Sequence, residues 1–172
     1  MLDYLITSKT RLKLILKFFL NTETKGYLRG LAKEFDESTN SVRVELNRFV
    51  EAGLLDSEMD GRKKVYIANK KHNLFDDIHN IVTKFVGIDQ LVEQIVSKLG
   101  DVKAAYIIGD YASGIDSGVI QLVIVGDVDG EYLGELVLKT ESMIDRKISV
   151  DVKEKCDGSI VDEGVLVVWG AI

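Results

Sequence analysis

The 172-residue chain contains no proline and a single cysteine, Cys156. Without proline, no proline-rich linker separates its parts and no X–Pro bond kinks a helix. One cysteine excludes an internal disulfide framework and fits a reducing cytoplasm, and Cys156 has no local signature of a nucleophile around it. No apolar run approaches the ~18 residues that cross a bilayer. Met1-Leu2-Asp3-Tyr4 lacks the basic flank and apolar core of a secretory leader. The expectation is a cytoplasmic protein with no membrane partner and no low-complexity segment.

What is present is a core-forming composition. The hydrophobic fraction is 46% and the charged fraction 29%, ordinary values for a folded protein. The length fits one large domain or two small ones. The net charge of −6 argues weakly against a polyanion binder, but its distribution reverses that. Residues 1–86 carry 15 basic against 12 acidic side chains, whereas residues 87–172 carry 7 against 16. A mildly basic half that approaches a polyanion while an acidic half faces away is one reading; two domains of different isoelectric point fit the charge equally well.

Periodicity then orders the first half. Ser8 or Thr10 caps a helix to about Leu20, with Leu12, Ile15, Leu16 and Phe19 as its core stripe. A polar loop, 21–26, leads to a helix over 27–35 that buries Leu28, Leu31, Ala32 and Phe35. The turn Asp36-Glu37-Ser38 follows, then a helix over 39–52. Val42, Leu46, Phe49 and Val50 recur at i, i+4, i+7, i+8 and point inward; Asn40, Arg43, Val44 and Asn47 share the opposite face. Gly53 ends the helix. A hairpin, 54–58 and 64–68, turns at Asp60-Gly61 and presents Arg62, Lys63 and Lys64 at its tip.

Two helices followed by a hairpin read as a winged helix-turn-helix, whose second helix fits the major groove of double-stranded DNA. Asn pairs bidentately with adenine, and Arg with guanine O6 and N7, so Asn40, Arg43, Val44 and Asn47 form the candidate base-reading face. Ser38, Thr39 and Ser41 stand at the helix start, where hydroxyls and backbone N–H groups suit a phosphate. Arg62, Lys63 and Lys64 reach for phosphates beside the groove. A solvated helix face with an ordinary charged hairpin is the alternative, and Glu45 and Glu51 weaken the basic surface.

The segments Leu31-Ala32-Lys33-Glu34-Phe35, Ser41 to Asn47 and Glu51-Ala52-Gly53-Leu54-Leu55 resemble the ArsR-like winged helix-turn-helix regulators, over about residues 9–70. The resemblance implies a homodimer on a two-fold operator, with each second helix of the motif in one major groove. Metal-sensing thiolates found in some members have no counterpart, because no cysteine precedes Cys156.

After a helix over 74–86, with Leu74, Ile78, Ile81, Val82 and Phe85 as its apolar face, Gly87 marks a break and a domain boundary, and a helix resumes over 88–99. The period then changes. Val102–Ile108 reads as a strand, and Val119–Val125 as a strand buried on both faces. A helix over 131–144 and strands over 148–152 and 165–169 complete a small mixed sheet, with Trp169 in its core. The fold class is therefore α+β: a winged helix-turn-helix over 1–86 and a mixed-sheet domain over 87–172.

Within the second domain, the run 104–114 followed by 118–126 is similar to the polymerase-beta-type minimal nucleotidyltransferases, over about residues 100–155. That family shows a strand, a Gly-Ser turn that holds the triphosphate, and Asp-x-Asp opening the next strand; a third carboxylate comes from a later strand, and together they hold two Mg²⁺ ions. Gly109 and Gly114 match. The serine is Asp110, the paired carboxylates fall on Val119 and Gln121, and Asp151 alone stands at the third position. An acidic side chain where phosphates sit repels them, and valine cannot ligate Mg²⁺. The resemblance implies the fold and, by these departures, a non-enzyme without cofactor, serving oligomerisation or binding of a protein or small-molecule effector. Asp116, in the loop before, is a candidate substitute ligand.

His72, Asp76 and His79 fall at i, i+4, i+7, a spacing that metal ligands share with ordinary surface side chains. Asp127, Asp129 and Glu131 read as a solvated acidic loop rather than a cation site. The expectation is a DNA-binding transcriptional regulator. The rivals are a divergent nucleotidyltransferase and a protein–protein adaptor.

Overall fold

The computed structural model describes residues 2–155 and 165–170; Cys156 lies outside them. The architecture is α+β in two compact units, Met1–Val82 and Thr83–Ile172.

The first unit runs α1 (Leu2–Leu5), α2 (Lys9–Leu20), β1 (Gly26–Tyr27), α3 (Leu28–Phe35), α4 (Thr39–Glu51), β2 (Leu55–Asp60) and β3 (Lys63–Ala68). The strands form an antiparallel sheet in the order β1-β3-β2, with Gly26 opposite Tyr66 and Asp60 opposite Lys63. Helix, strand, helix, turn, helix and hairpin in this sequence are the parts of a winged helix-turn-helix.

Local chemistry explains the boundaries. Ser8 caps α2, its hydroxyl accepting from Arg11 N at 3.2 Å. Ser38 caps α4 in the same way, accepting from Ser41 N at 3.1 Å. Past α4, Gly53 N donates to Val50 O and Leu54 N to Phe49 O, both at 2.9 Å, the paired bonds of a Schellman ending. Val42 and Leu46 are wholly buried and Phe49 nearly so. Each such side chain contributes about 1.5–3 kcal/mol of burial.

The spacing expected in α2 is only half right. Leu14 and Phe18 are core residues beside Leu16 and Phe19, while Leu12 and Ile15 are only partly covered. A helix enclosed by α1, α4 and β3 buries more than one stripe. The hairpin extends two residues further on β2 than expected, so the turn is Gly61-Arg62 and not Asp60-Gly61. Gly61 has φ 60° there, at the position where a two-residue hairpin asks for glycine. Arg62 alone stands in the turn, and Lys63 and Lys64 open the returning strand.

Helix α5 (Phe75–Val86) runs from the first unit into the second. Leu74 and Ile81 do not join its buried face; each is about half exposed, and Phe75 takes Leu74's expected place, its ring 5.9 Å from that of Phe19. Helix α6 (Ile88–Gln94) stops earlier than the pattern suggests, and a 3₁₀ turn over Val96–Lys98 follows it.

The second unit then builds β4 (Val102–Ile108), α7 (Gly109–Ala112), β5 (Val119–Gly126), α8 (Gly130–Ile144), β6 (Lys147–Lys153) and β7 (Leu166–Trp169). The sheet order is β6-β5-β4-β7. β4 is antiparallel to β5 and β7, and α8 is the crossover that makes β6 parallel to β5. The nucleotidyltransferase resemblance implies a strand, a Gly-led turn and a next strand, and β4, α7 and β5 stand in that order. Ala105, Ile107, Ile120, Leu122 and Ile124 are fully buried, and Ala104, Tyr106, Val123 and Val125 form a second cluster. β5 is buried throughout only from Leu122 on: Val119 and Gln121 are exposed. Trp169 is 42% exposed rather than core, as befits an edge strand.

Two aspartates, Asp36 at the end of α3 and Asp145 at the end of α8, hold left-handed backbone conformations. A Cβ is disfavoured there, and glycine is not. Asp36→Gly is expected to stabilise the first unit by about 0.5–1 kcal/mol, and Asp36→Val to destabilise it by about 1–2 kcal/mol. Thermal melts of the two variants check both signs.

Candidate nucleic-acid interface

The turn between α3 and α4 is held from behind by α2. Lys13 Nζ donates to Phe35 O at 2.7 Å and pairs with Glu37 at 3.1 Å. Thr10 donates to the same Glu37 carboxylate, and Lys17 pairs with Glu34 at 2.9 Å. Lys13 and Lys17 of α2 are thus committed to acids of α3 and the turn after it.

Glu45 completes this seam. It is 6% exposed, on the buried side of α4. Arg11 grips it bidentately at 2.9 and 3.2 Å, Arg48 donates to it at 2.9 Å, and Ser8 adds a hydroxyl at 3.3 Å. Burial alone would push this carboxyl up; the bonds to Arg11, Arg48 and Ser8 outweigh it and hold the group below the usual carboxylate range. Glu45 therefore does not dilute the basic surface as its sequence position suggested, because its charge is turned inward and met there.

The opposite face of α4 is left to solvent. Asn40, Arg43, Val44 and Asn47 are all exposed, in one stripe. Ser38, Thr39 and Ser41 are exposed at the helix start, and no acid stands in the first turn. The positive end of the helix dipole thus has no carboxylate on it; the Ser38 hydroxyl caps Ser41 N and bonds the Ser41 hydroxyl at 2.9 Å. Arg43 lies toward the wing: burial raises the Tyr66 hydroxyl's pKa, and the Arg43 charge opposes that rise.

The wing carries Arg62, Lys63 and Lys64 in the open. Lys63 Nζ lies 6.0 Å from the Tyr27 ring centroid and Lys64 Nζ 5.3 Å from that of Tyr66. The Tyr27 hydroxyl donates to Asp60, which occupies the acid nearest the tip and raises the tyrosine's pKa. Nothing in the sequence pattern signalled these rings, which set the lysine stems by stacking.

The second unit brings Gly109, Asp110, Val119, Gln121 and Asp151 to one end and one face of its sheet. Gly109 has φ 69°, and a Cβ there would collide with the Gln121 amide. The amide thus packs over the glycine turn itself. Gln121 pairs in register with Ser149, and Asp151 with Val123, one same-face step further along. Asp110, Val119, Gln121 and Asp151 are exposed. With an aliphatic side chain at Val119, an amide against the turn at Gln121, and only Asp151 of the two carboxylates at a position the resemblance gives to a metal ligand, the set does not fit a pair of Mg²⁺ ions.

Asp116, the candidate substitute ligand, is engaged elsewhere. Arg146 holds it at 2.6 and 3.1 Å, and the Tyr111 hydroxyl donates to it. The guanidinium also donates to Ile144 O at 3.0 Å and lies 5.3 Å from the Phe85 ring centroid. Burial works to raise the Asp116 carboxyl's pKa, but Arg146 and Tyr111 bring it below its ordinary value; Tyr111 itself is pushed far up by burial and by that aspartate. The cluster is a structural lock rather than a metal site.

His72 and His79 are likewise spoken for. His72 Nδ1 accepts from Leu74 N at 3.1 Å, and His79 Nδ1 bonds Phe19 O at 2.7 Å while its ring stacks on Phe75. Among the described residues, no group of three or more His, Cys, Asp or Glu is placed to hold a metal ion. Asp129 is an N-cap, accepting from Glu131 N at 2.9 Å and Tyr132 N at 3.1 Å. No helix among the described residues is long and apolar enough to cross a membrane.

The sequence matches no protein-family model and no curated protein. Solved structures with partial similarity include a tri-AMPylated HEPN toxin in complex with MNT antitoxin from Shewanella oneidensis. That match is at 12% identity and TM-score 0.38, covering 49% of this chain and 71% of that one. A toxin–antitoxin structure with AMP-PNP matches at 14% identity and TM-score 0.41, covering 49% and 73%. Reduced HlyU from Vibrio cholerae N16961 matches at 11% identity and TM-score 0.37, covering 54% and 82%. At such identities and TM-scores the function has to be argued from this chain's own residues.

The Glu45 cluster generates a pH expectation. A carboxyl held low in the fold contributes stability above its unfolded pKa, and that contribution disappears as pH falls through the folded value. Glu45→Gln should cost about 1–2 kcal/mol at neutral pH, since it removes charge-assisted bonds. The difference from the unsubstituted protein should shrink below about pH 4, the ordinary glutamate range. Denaturant melts across pH read both.

Proposed function

We propose that the first unit binds double-stranded DNA and that the protein is a cytoplasmic transcriptional regulator. α4 lies in the major groove and the wing follows the adjacent backbone. The observation that carries this reading is the division of charge on α4 and its surroundings. Glu34, Glu37 and Glu45 are paired with α2, while Asn40, Arg43, Val44, Asn47 and the wing cations face solvent, with Glu51 the exposed acid at the far end of α4. Ser38, Thr39 and Ser41 position the backbone phosphate at the helix start; Arg62, Lys63 and Lys64 hold phosphates beside the groove. As in the ArsR-like regulators the sequence resembles, two copies bind a two-fold site with half-site centres about 34 Å apart.

The second unit serves pairing of two copies or binding of an effector, not nucleotidyl transfer. The Gln121 amide over the Gly109 turn and the locking of Asp116 by Arg146 support that assignment.

The test is a mobility-shift titration against genomic fragments. Arg43→Ala and Asn47→Ala are each expected to weaken binding to the preferred fragment by about 1–3 kcal/mol, a base-contact loss. Lys63→Ala with Lys64→Ala should weaken all fragments alike and flatten the dependence of log K on log salt by about two. Binding indifferent to salt and to all four changes would contradict the proposal. Transfer from a labelled nucleoside triphosphate that is lost on Asp151→Ala would restore the enzyme reading of the second unit.

A further inference from the structure

Val44 is the member of the α4 stripe that hydrogen bonding leaves unexplained. Its neighbours Val42 and Leu46 are wholly buried, whereas Val44 is 42% exposed. It stands between Asn40, four residues before, and Asn47, three residues after, in the middle of the polar face. A β-branched residue adds nothing to an exposed helix position by propensity. A lone apolar side chain on a surface needs no partner, but this one would be desolvated by anything that docks on the face. In the major groove, the apolar feature of the base edges is the thymine C5-methyl.

The spacing of the stripe adds a length. Asn40 to Asn47 is seven residues, about 10.5 Å along the helix axis. Base pairs are about 3.4 Å apart, so this distance covers about three steps, or four base pairs. Val44 falls near the centre of that span, beside Arg43. We infer that α4 reads a half-site core of about four base pairs, with an adenine near each end for Asn47 and Asn40, a guanine for Arg43, and an interior thymine whose methyl packs on Val44. This inference rests on the DNA-binding reading above and names the sequence class that reading takes.

The experiment uses the full chain and a pool of random-sequence duplexes. Retained duplexes are sequenced, and the preferred one is resynthesised with deoxyuridine in place of each thymine in turn, which removes the methyl alone. Binding is expected to weaken about fourfold at one interior thymine, the value of one buried methyl. Val44→Ala should weaken binding to the thymine duplex by a similar factor and make the protein indifferent to the methyl. Salt-dependent binding with no sequence preference, or with no thymine sensitive to the replacement, would overturn the inference and leave DNA binding standing. The same holds if Val44→Ala stays as sensitive as the unsubstituted protein. Failure to retain any duplex would remove both.

Discussion

A single buried carboxylate, Glu45, fixes α4 in the first unit. Arg11 and Ser8 reach it from the start of α2, and Arg48 reaches it from within α4. A buried charge is costly unless its lone pairs are met, and here four donors meet them. The consequence is rotational. With Glu45 turned to α2, and Val42, Leu46 and Phe49 in the core, the stripe of Asn40, Arg43, Val44 and Asn47 has no direction left but outward.

The same economy governs the other charges. Lys13 and Lys17 are used to hold Glu37 and Glu34, so the turn before α4 is braced by α2. Arg43 on α4 and Arg62, Lys63 and Lys64 on the wing are left to solvent, as are Arg29 and Lys33 on α3, and Asp60, the wing acid nearest the tip, is bonded by Tyr27. A chain that is acidic in total can therefore present a face suited to phosphate, because Glu34, Glu37 and Glu45 are paired with α2 and add no free charge to it. In the second unit the equivalent device is Arg146, which binds Asp116 and Tyr111 and stacks on Phe85. That arrangement ties the loop before β5 to the turn after α8.

Much of this was legible in the sequence where the signal is local. The 3.6-residue period of α4 separated Val42, Leu46 and Phe49 from the exposed stripe, and Gly53 and Ser38 marked its ends. What was not legible depends on partners far along the chain. Glu45 is 34 residues from Arg11 and Asp116 is 30 from Arg146, distances over which no spacing rule operates. Glu45 therefore reads from sequence as a surface acid, and Asp116 as a free ligand. The exposure of Trp169 and Ile81 was hidden for a related reason: periodicity tells which residues share a face, not whether anything covers it. The shift of the wing turn by one residue, from Asp60-Gly61 to Gly61-Arg62, reflects glycine's suitability at either central position.

The central claim is that the α4 stripe and the wing are where DNA docks. Backbone amide shifts of isotope-labelled protein, followed by NMR as a duplex is added, test it directly. The account predicts that the largest changes fall on residues 38–47 and on Arg62, Lys63 and Lys64. Changes confined to the second unit, or none in α4 while the duplex binds, would contradict it.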